Sequence, residues 1–366
     1  MATAAPRAHR PGAFHPLRVV AVDPVAVDAV AITFAVPPAL APAFRFQAGQ
    51  HCTLRTTLDG VELRRSYSIC APAPDGPLRV AVRRLPGGLV SRHLHDELRP
   101  GDLCEVMEPA GGFTMPFDPA VRRRYCAIAA GSGITPVLSL VATALATEPG
   151  SEVVLLYGNR TVGSAMFVDE IADLKDRHPA RLQVLHVLSR ERQEVELANG
   201  RLDGAKLRTL FQTMVAPRSV DVFWLCGPHP MVLEARVVLE AQGVAATAVR
   251  TELFFVEERP PQRTRAEETA LARPGVVTVT ARLDGRETTF TMGRSGTLVD
   301  GLLTVRPDAP FSCKGGVCAT CRARLLEGEV AMDHTYALEP AEQAQGYVLT
   351  CQSHPLTDRV VVDYDG

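Results

Sequence analysis

Cys313-Lys314-Gly315-Gly316-Val317-Cys318-Ala319-Thr320-Cys321 puts three cysteines on one short loop, and Cys351 follows after 29 intervening residues. The spacing C-x4-C-x2-C with a distant fourth cysteine is that of a [2Fe–2S] site, because thiolates are the soft ligands iron–sulfur chemistry requires. Lys314, Gly315 and Gly316 leave room for backbone N–H groups to approach the sulfurs. A structural zinc site is the rival reading, since four thiolates also suit tetrahedral Zn²⁺. Zinc modules usually show two short knuckles instead of three clustered cysteines and one remote. The expected metal ligands are Cys313, Cys318, Cys321 and Cys351, and a chain that carries them is expected to move electrons.

The 366 residues allow two or three domains, and 46% hydrophobic composition with a formal net charge of −2 suits an ordinary globular protein with no nucleic-acid partner. Cys52, Cys70, Cys104, Cys126 and Cys226 are dispersed without a pairing pattern, which fits a reducing compartment, so a cytoplasmic location is expected. Residues 1–16 contain Arg7, Arg10 and three prolines with no apolar run behind them, and read as a loose tail, not a secretory signal. From Tyr125 to Thr147 no residue is charged, over about the length that spans a bilayer. Gly131-Ser132-Gly133 and Thr135-Pro136 interrupt that run, so it reads as a buried strand, turn and helix.

Outward from these points the chain changes period. Leu17–Val22, Ala29–Val36, His51–Leu58, Ser66–Cys70 and Leu78–Arg84 read as short strands of an antiparallel β-barrel, broken at Asp59-Gly60 and Asp75-Gly76-Pro77. Then Tyr125–Ala130, Glu152–Tyr157, Leu182–Leu188 and Val220–Cys226 alternate with helical stretches at Pro136–Ala146, Ser164–Arg177 and Met231–Gln242, which implies an α/β domain with a parallel sheet. Residues 256–274, rich in Glu, Arg, Pro and Thr, read as a linker. Beyond it, Val276–Leu283 and Glu287–Met292 flank Asp284-Gly285-Arg286 as a hairpin, and Thr297 caps a helix at Leu298–Leu303. The expected domains are 16–120, 121–255 and 275–366.

Three further motifs carry chemistry. Arg65-Ser66-Tyr67-Ser68 lies on a barrel strand and, taken alone, suits an ordinary sheet surface. Downstream, Val82-Arg83-Arg84 ends a strand and Gly87-Gly88-Leu89-Val90-Ser91 opens a helix, offering backbone N–H groups and a hydroxyl to a phosphate. Ala130-Gly131-Ser132-Gly133-Ile134-Thr135-Pro136 leads from a strand into a helix, so a pyrophosphate is able to approach the helix terminus. The third glycine of the usual dinucleotide fingerprint is missing, and a tight turn without a ligand is the rival. Cys226-Gly227-Pro228-His229-Pro230-Met231 repeats the architecture at a later strand end. Arg160, Ser189 and Arg190 follow strands and offer a hydroxyl and guanidinium groups to a phosphate dianion, unless Arg190, Glu191, Arg192 and Glu194 form only a solvated charge run.

In this order the motifs resemble the ferredoxin–NADP⁺ reductase family, extended by a plant-type [2Fe–2S] ferredoxin domain of the α+β β-grasp fold. The resemblance implies FAD in the barrel, with Arg65 on its pyrophosphate, Tyr67 against the flavin and Ser68 near N5. It implies a nicotinamide cofactor on the α/β domain, with Gly131, Gly133 and Thr135 in the family's G-x-G-I-T-P turn and Cys226 and Gly227 beside the nicotinamide. Ser68 and Cys226 are then the catalytic positions. Cys226 as a nucleophile, or as a buried structural cysteine, are the alternatives, but hydride transfer needs no protein nucleophile. Ser189-Arg190 matches members that use NADPH.

Within the family, reductase subunits of phenylacetyl-CoA epoxidase complexes match best, on Cys313 to Arg322, Met332-Asp333, Tyr336-Ala337-Leu338-Glu339 and Gly346 to Gln352, with His334 where Asn is expected. The implied circuit runs from NADPH through FAD and the cluster to the oxygenase subunits of a multicomponent di-iron monooxygenase. A separate oxygenase is needed because no Glu-x-x-His pair falls on an expected helix. Reductases of Rieske-type or steroid hydroxylases share these motifs. A redox sensor or a metal-stapled adaptor, with no turnover, is the rival from another class.

Overall fold

The computed structural model describes residues 13–254 and 263–366. All but the last four residues of the expected N-terminal tail lie outside the described residues, as does 256–262 of the expected linker. By contact the chain forms two compact units. One is Pro16–Glu105 with Pro109–Glu257, and the other is the C-terminal part together with residues 13–15 and 106–108.

The first half of the larger unit, with the start of β1 and the end of β6 counted in the other, contains strands β1 (Phe14–Ala26), β2 (Ala29–Ala35), β3 (His51–Leu58), β4 (Val61–Ser68) and β5 (Arg79–Arg83), helix α1 (Leu89–Asp96) and strand β6 (Leu103–Met107). They form an antiparallel six-stranded sheet in the order β4-β3-β6-β1-β2-β5, which an Ile69–Val80 bridge closes on itself. Strand β4 starts five residues before the expected 66. Asp59 and Gly60, at φ of 50° and 76°, make a two-residue turn, and Leu58 pairs directly with Val61. The charges of Glu62-Leu63-Arg64-Arg65 hid this stretch, because Arg64 is buried by pairing with Glu62, Nε to Oε1 at 2.8 Å.

The second half alternates β7 (Arg124–Ala130), α2 (Ile134–Thr147), β8 (Glu152–Asn159), α3 (Val168–Arg177), β9 (Leu182–Leu188), α4 (Gly204–Thr213), β10 (Val222–Cys226), α5 (His229–Ala241) and β11 (Val249–Glu252). The sheet is parallel, in the order β11-β10-β7-β8-β9. The uncharged run of Tyr125 to Thr147 is β7, a 3₁₀ turn and α2 in its core, and no helix among the described residues is long and apolar enough to cross a membrane. Helix α4 and strand β11 were not expected. Helix α4 is polar apart from Leu207, Leu210 and Phe211 and is started by Asp203, whose carboxylate accepts from the Lys206 N–H; β11 has only four residues. Barrel and parallel sheet are joined by an Arg79–Glu170 fork at 2.8 and 2.9 Å and by Ser139 Oγ donating to the Ala71 carbonyl at 2.6 Å.

The smaller unit holds α6 (Arg265–Leu271), β12 (Val276–Leu283), β13 (Arg286–Gly293), α7 (Leu298–Leu303), β14 (Arg322–Glu327), β15 (Val330–Met332), α8 (Pro340–Ala344), β16 (Tyr347–Leu349), β17 (Ser353–Pro355) and β18 (Arg359–Asp363). Its main sheet runs β13-β12-β18-β14-β16, with β12 and β18 parallel, and α7 packs on it through Leu298 and Leu302: a β-grasp arrangement. Asp284 and Gly285 alone form the hairpin turn, so Arg286 belongs to β13. The stretch expected as a structureless linker contains α6, nucleated by a Thr264–Glu267 capping box although none of its residues is buried.

The larger unit buries one carboxylate completely. Glu148 is 0% exposed and accepts from Tyr125 Oη at 2.7 Å, Ser151 Oγ at 2.7 Å and Arg123 Nη1 at 2.6 Å. Tyr125 also stacks on Trp224, the sole tryptophan, with ring centroids 4.5 Å apart. Tyr125→Phe keeps the stack and removes one donor, so it should cost about 1–3 kcal/mol and lower the thermal midpoint followed by circular dichroism. An unchanged midpoint would mean Glu148 does not depend on the phenol.

Candidate functional site

The sheet order places a crevice between β7 and β10, where the chain, having built β7-β8-β9 in one direction, returns to build β10-β11 in the other. Ligands of open α/β sheets bind at such a switch point, outside the carboxyl ends of the strands. Gly131 stands there at φ of 56° and Gly133 opens α2. A Cβ on Gly133 would lie 2.1 Å from the Cys226 carbonyl oxygen, so only glycine lets the two strand ends close up. A Cβ on Gly227 would come within 3.2 Å of Ala130 N and 2.7 Å of the flexible end of Met231. Thr135 Oγ1 donates to the Ser132 carbonyl at 3.0 Å and Tyr157 Oη to that of Gly131 at 3.2 Å, which holds the turn open toward a ligand.

Three polar side chains meet beside this crevice, two of them not singled out from the sequence. Ser68 ends β4 directly across from His51 of β3, and Glu252 ends β11 directly beside Cys226 of β10. Ser68 Oγ donates to Glu252 Oε2 at 3.3 Å, and Glu252 Oε1 is 4.0 Å from His51 Nδ1. Burial raises the Glu252 carboxyl to about 8, against the opposing effect of the Ser68 hydroxyl. Burial lowers His51 to about 4. Burial first, then Glu252, pushes the Cys226 thiol far up. At neutral pH the groups facing each other are therefore a protonated carboxyl, a hydroxyl, a neutral imidazole and a neutral thiol. Cys226, 0% exposed and protonated, is not a nucleophile. Glu252 escaped the sequence reading because its strand has four residues, and His51 because it looks like one polar position of an alternating strand.

On the barrel, Arg65 and Tyr67 project from the same side of β4, and Arg65 Nη1 donates to the Arg64 carbonyl at 2.7 Å. Burial raises the Tyr67 phenol. Val82 is buried inside β5. Arg83 turns to the nucleotide domain, with Nη2 2.5 Å from the Ser164 carbonyl and Nη1 3.6 Å from Asp28. Gly87 has φ of 73° and Gly88 caps α1. Ser91 is used inside this turn: its hydroxyl accepts from Leu85 N at 3.2 Å and donates to the Gly88 carbonyl at 3.3 Å, leaving the first backbone N–H groups of α1 as the donors toward solvent. At the ends of β8 and β9, Arg190 N donates to the Arg160 carbonyl at 2.8 Å and Ser189 Oγ to that of Asn159 at 3.3 Å. Both arginines are exposed, and neither guanidinium makes an ion pair among the described residues.

In the smaller unit the four cysteines of the loop system fall into two pairs. Cys318 donates to Cys313, which is thereby lowered to about 6, helped by the N–H groups of Gly315, Val317 and Cys318. Cys321 donates to Cys351, which is lowered in the same way and further by Gln352 and the Gly316 N–H. The donors, Cys318 and Cys321, are raised. No three His, Cys, Asp or Glu side chains among the described residues gather about one point as a single-ion site; two thiol pairs suit a cluster of two irons, each taking two thiolates. Cys321 and Cys351 are buried, Cys313 and Cys318 half-buried, and Lys314 and Gly315 are exposed at the tip.

The comparisons with known proteins agree with this layout. Residues 16–115 match the oxidoreductase FAD-binding domain, 127–236 the oxidoreductase NAD-binding domain and 281–356 the 2Fe-2S iron–sulfur cluster binding domain. The last match decides between iron–sulfur and zinc. The chain is 44% identical to one of the subunits of 1,2-phenylacetyl-CoA epoxidase from Escherichia coli, over 96% of this chain and 98% of that one. It is 32% identical to the ferredoxin reductase component of 3-ketosteroid-9-alpha-monooxygenase from Rhodococcus rhodochrous, over 95% and 96%. The fold is that of phthalate dioxygenase reductase, with a TM-score of 0.58 at 22% identity over 96% and 98% of the two chains. The protein is thus an oxidoreductase with FAD, nicotinamide and [2Fe–2S] sites, a reductase component of the oxygenase type. It belongs to the ferredoxin–NADP⁺ reductase family, in the branch that carries its own ferredoxin domain.

Glu252 gives a sign that is testable. Its folded value near 8 exceeds the ordinary 4.5, so the folded chain binds the extra proton between those values. Stability from this group is complete below about pH 4.5 and is lost as pH rises through about 8, with a slope of at most about 1.4 kcal/mol per pH unit. Glu252→Gln should remove that slope, so chemical denaturation of the flavin-free protein should find the variant gaining on the parent between about pH 5 and 8. Parallel pH profiles would show Glu252 to be ionised throughout.

Proposed function

We propose that this chain takes electrons from NADPH and hands them, one at a time, to the oxygenase subunits of a di-iron phenylacetyl-CoA epoxidase in phenylacetate degradation. When bound, FAD accepts a hydride and yields electrons singly, and the cluster carries one at a time. The chain's own residues do the rest. Arg65, Tyr67, Val82, Arg83, Gly87, Gly88 and Ser91 form the barrel side that takes the flavin, with the α1 terminus toward its phosphates. Gly131, Gly133, Thr135, Cys226 and Gly227 shape the crevice for the nicotinamide half, and Ser68 with Glu252 presents uncharged polar groups to the reacting ring. The half-buried Cys313–Cys318 pair behind an exposed loop tip is the observation that carries the reading: an electron leaves there for a separate protein. The choice of epoxidase rests on likeness to the Escherichia coli epoxidase component over nearly the whole of both chains. None of the nine cysteines is joined in a disulfide, which suits the cytoplasm.

NADPH is favoured because Arg160 and Arg190 emerge side by side with Ser189, without ion-pair partners among the described residues. Arg190→Ala should raise KM for NADPH by roughly tenfold to a hundredfold, the ~1.5–3 kcal/mol of a hydrogen bond to a charged group, and barely alter KM for NADH. An equal rise for both would make Arg190 part of a solvated charge run.

The partner is tested by reconstitution. With NADPH, oxygen and phenylacetyl-CoA, product should form only when epoxidase oxygenase subunits are added, and Cys318→Ser, which lacks a cluster ligand, should not support it. Equal rates with Cys318→Ser would break the proposed order of carriers. Turnover with a steroid oxygenase but not with the epoxidase would reassign the partner.

A further inference from the structure

Gln352 follows the fourth cysteine and is itself buried, 5% exposed. Its Nε2 lies 2.9 Å from the Lys314 carbonyl oxygen, 3.0 Å from the Cys351 carbonyl oxygen and 3.5 Å from Cys351 Sγ. All three are acceptors, so the amide nitrogen and not its oxygen must face them. Lys314 is 38 residues earlier, inside the loop that carries the other three thiols, and sits in the left-handed region at φ of 50°. Gly316, at φ of 74°, makes the approach possible: a Cβ there would come within 3.1 Å of Gln352 Cγ. One side chain thus ties the three-cysteine loop to the remote fourth ligand, and its two N–H groups, shared among three acceptors, reach that ligand's sulfur.

The geometry points to Gln352 as a positioning residue for the [2Fe–2S] cluster, whose amide holds the loop against Cys351 and makes the cluster easier to reduce. Reduction adds negative charge to the thiolates, and a donor aimed at a sulfur stabilises the more negative state, so the potential rises. In a buried setting this hydrogen bond is not weakened by competing water. The main-chain N–H donors of the loop, such as Gly315 N at 3.3 Å from Cys313 Sγ, come with the loop conformation itself. Gln352 differs in being a side chain, so its contribution is removable without changing the backbone sequence of the loop. The inference rests on the four cysteines holding a [2Fe–2S] cluster.

The test uses the full-length protein with FAD and cluster. Gln352→Met keeps the length that packs over Gly316 and removes the donor; a redox titration followed by electron paramagnetic resonance should show its cluster potential shifted negative, with a severalfold to tenfold smaller equilibrium constant for reduction, tenfold being about 59 mV for one electron. The flavin potential in the same sample is the internal reference. Gln352→Glu, which turns an acceptor and a charge toward the sulfur, should shift further in the same direction. In the unaltered protein labelled with ¹⁵N in glutamine side chains, pulsed resonance on the reduced cluster should detect a weak side-chain nitrogen coupling. An unchanged potential in Gln352→Met overturns the proposal. Should that variant fail to hold a cluster, the coupling decides: its presence in the parent supports the role and its absence overturns it. If the parent itself shows no reduced-cluster resonance, the cluster assignment fails and the proposal with it.

Discussion

The close approach of Gly133 to the Cys226 carbonyl governs the larger unit. Two βα turns leave neighbouring strands β7 and β10 at the point where strand order reverses, and side chains on both would hold the turns apart. With no Cβ at 133 the N-terminus of α2 settles against the end of β10, and the two turns form one wall. That wall exposes unsatisfied N–H groups to a pyrophosphate and leaves β11 free to continue alongside, which brings Glu252 into register with Cys226. Pro136, in place of a third fingerprint glycine, is tolerated because a proline in the first turn of a helix gives up an N–H that has no partner there.

The proposed hydride site is then a consequence of docking rather than of any single motif. Ser68 comes from the barrel and Glu252 and Cys226 from the parallel sheet, and the Arg79–Glu170 fork and the Ser139–Ala71 bond hold those parts together. What docking creates is a cleft too dry for charge. Burial raises the Glu252 carboxyl to about 8, lowers His51 to about 4 and raises the Cys226 thiol, so near neutral pH these three groups face the cleft uncharged. Fixed neutral dipoles do not attract water or a competing proton donor as an exposed carboxylate would.

Elements whose sequence alternates cleanly were legible. His51–Leu58, Leu182–Leu188, Val276–Leu283 and Leu298–Leu303 came out with the bounds expected of them. The C-x4-C-x2-C loop was legible as a [2Fe–2S] motif because its spacing is local, and the match of residues 281–356 to the 2Fe-2S iron–sulfur cluster binding domain agrees with that reading. The failures lie where one specific pairing, local or distant, decides the structure and composition does not show it. Arg64 looked like a surface charge and is buried on Glu62. α6 looked like a linker and is a helix started by one capping box. Val249–Glu252 is a strand only because Phe223–Cys226 lies beside it, and Glu252 acquires its role from that pairing. The hydroxyl of Ser91, expected to serve a phosphate, is bonded within its own turn, to Leu85 N and the Gly88 carbonyl, which composition does not show.

The proposed ligand set of the smaller unit is three local cysteines and one remote, and this split has a structural consequence. A loop can place Cys313, Cys318 and Cys321 by itself, but Cys351 reaches them only if the segment around it is held from several directions. Thr350 N and Oγ1 both donate to the Cys321 carbonyl, at 3.2 and 2.9 Å, and Tyr364 Oη donates to Thr350 Oγ1 at 2.8 Å. On its other side Val299 N, in α7, donates to the Thr350 carbonyl at 3.1 Å and Asp333 N to that of Gln352 at 2.9 Å. The remote ligand is therefore anchored by the hairpin-flanking helix, by the β15–β17 ladder and by the last strand of the sheet at once. Cys351 thus cannot shift without disturbing the core, whereas Cys313 and Cys318, on the loop alone, remain half-buried, on the side where the proposed electron exit lies.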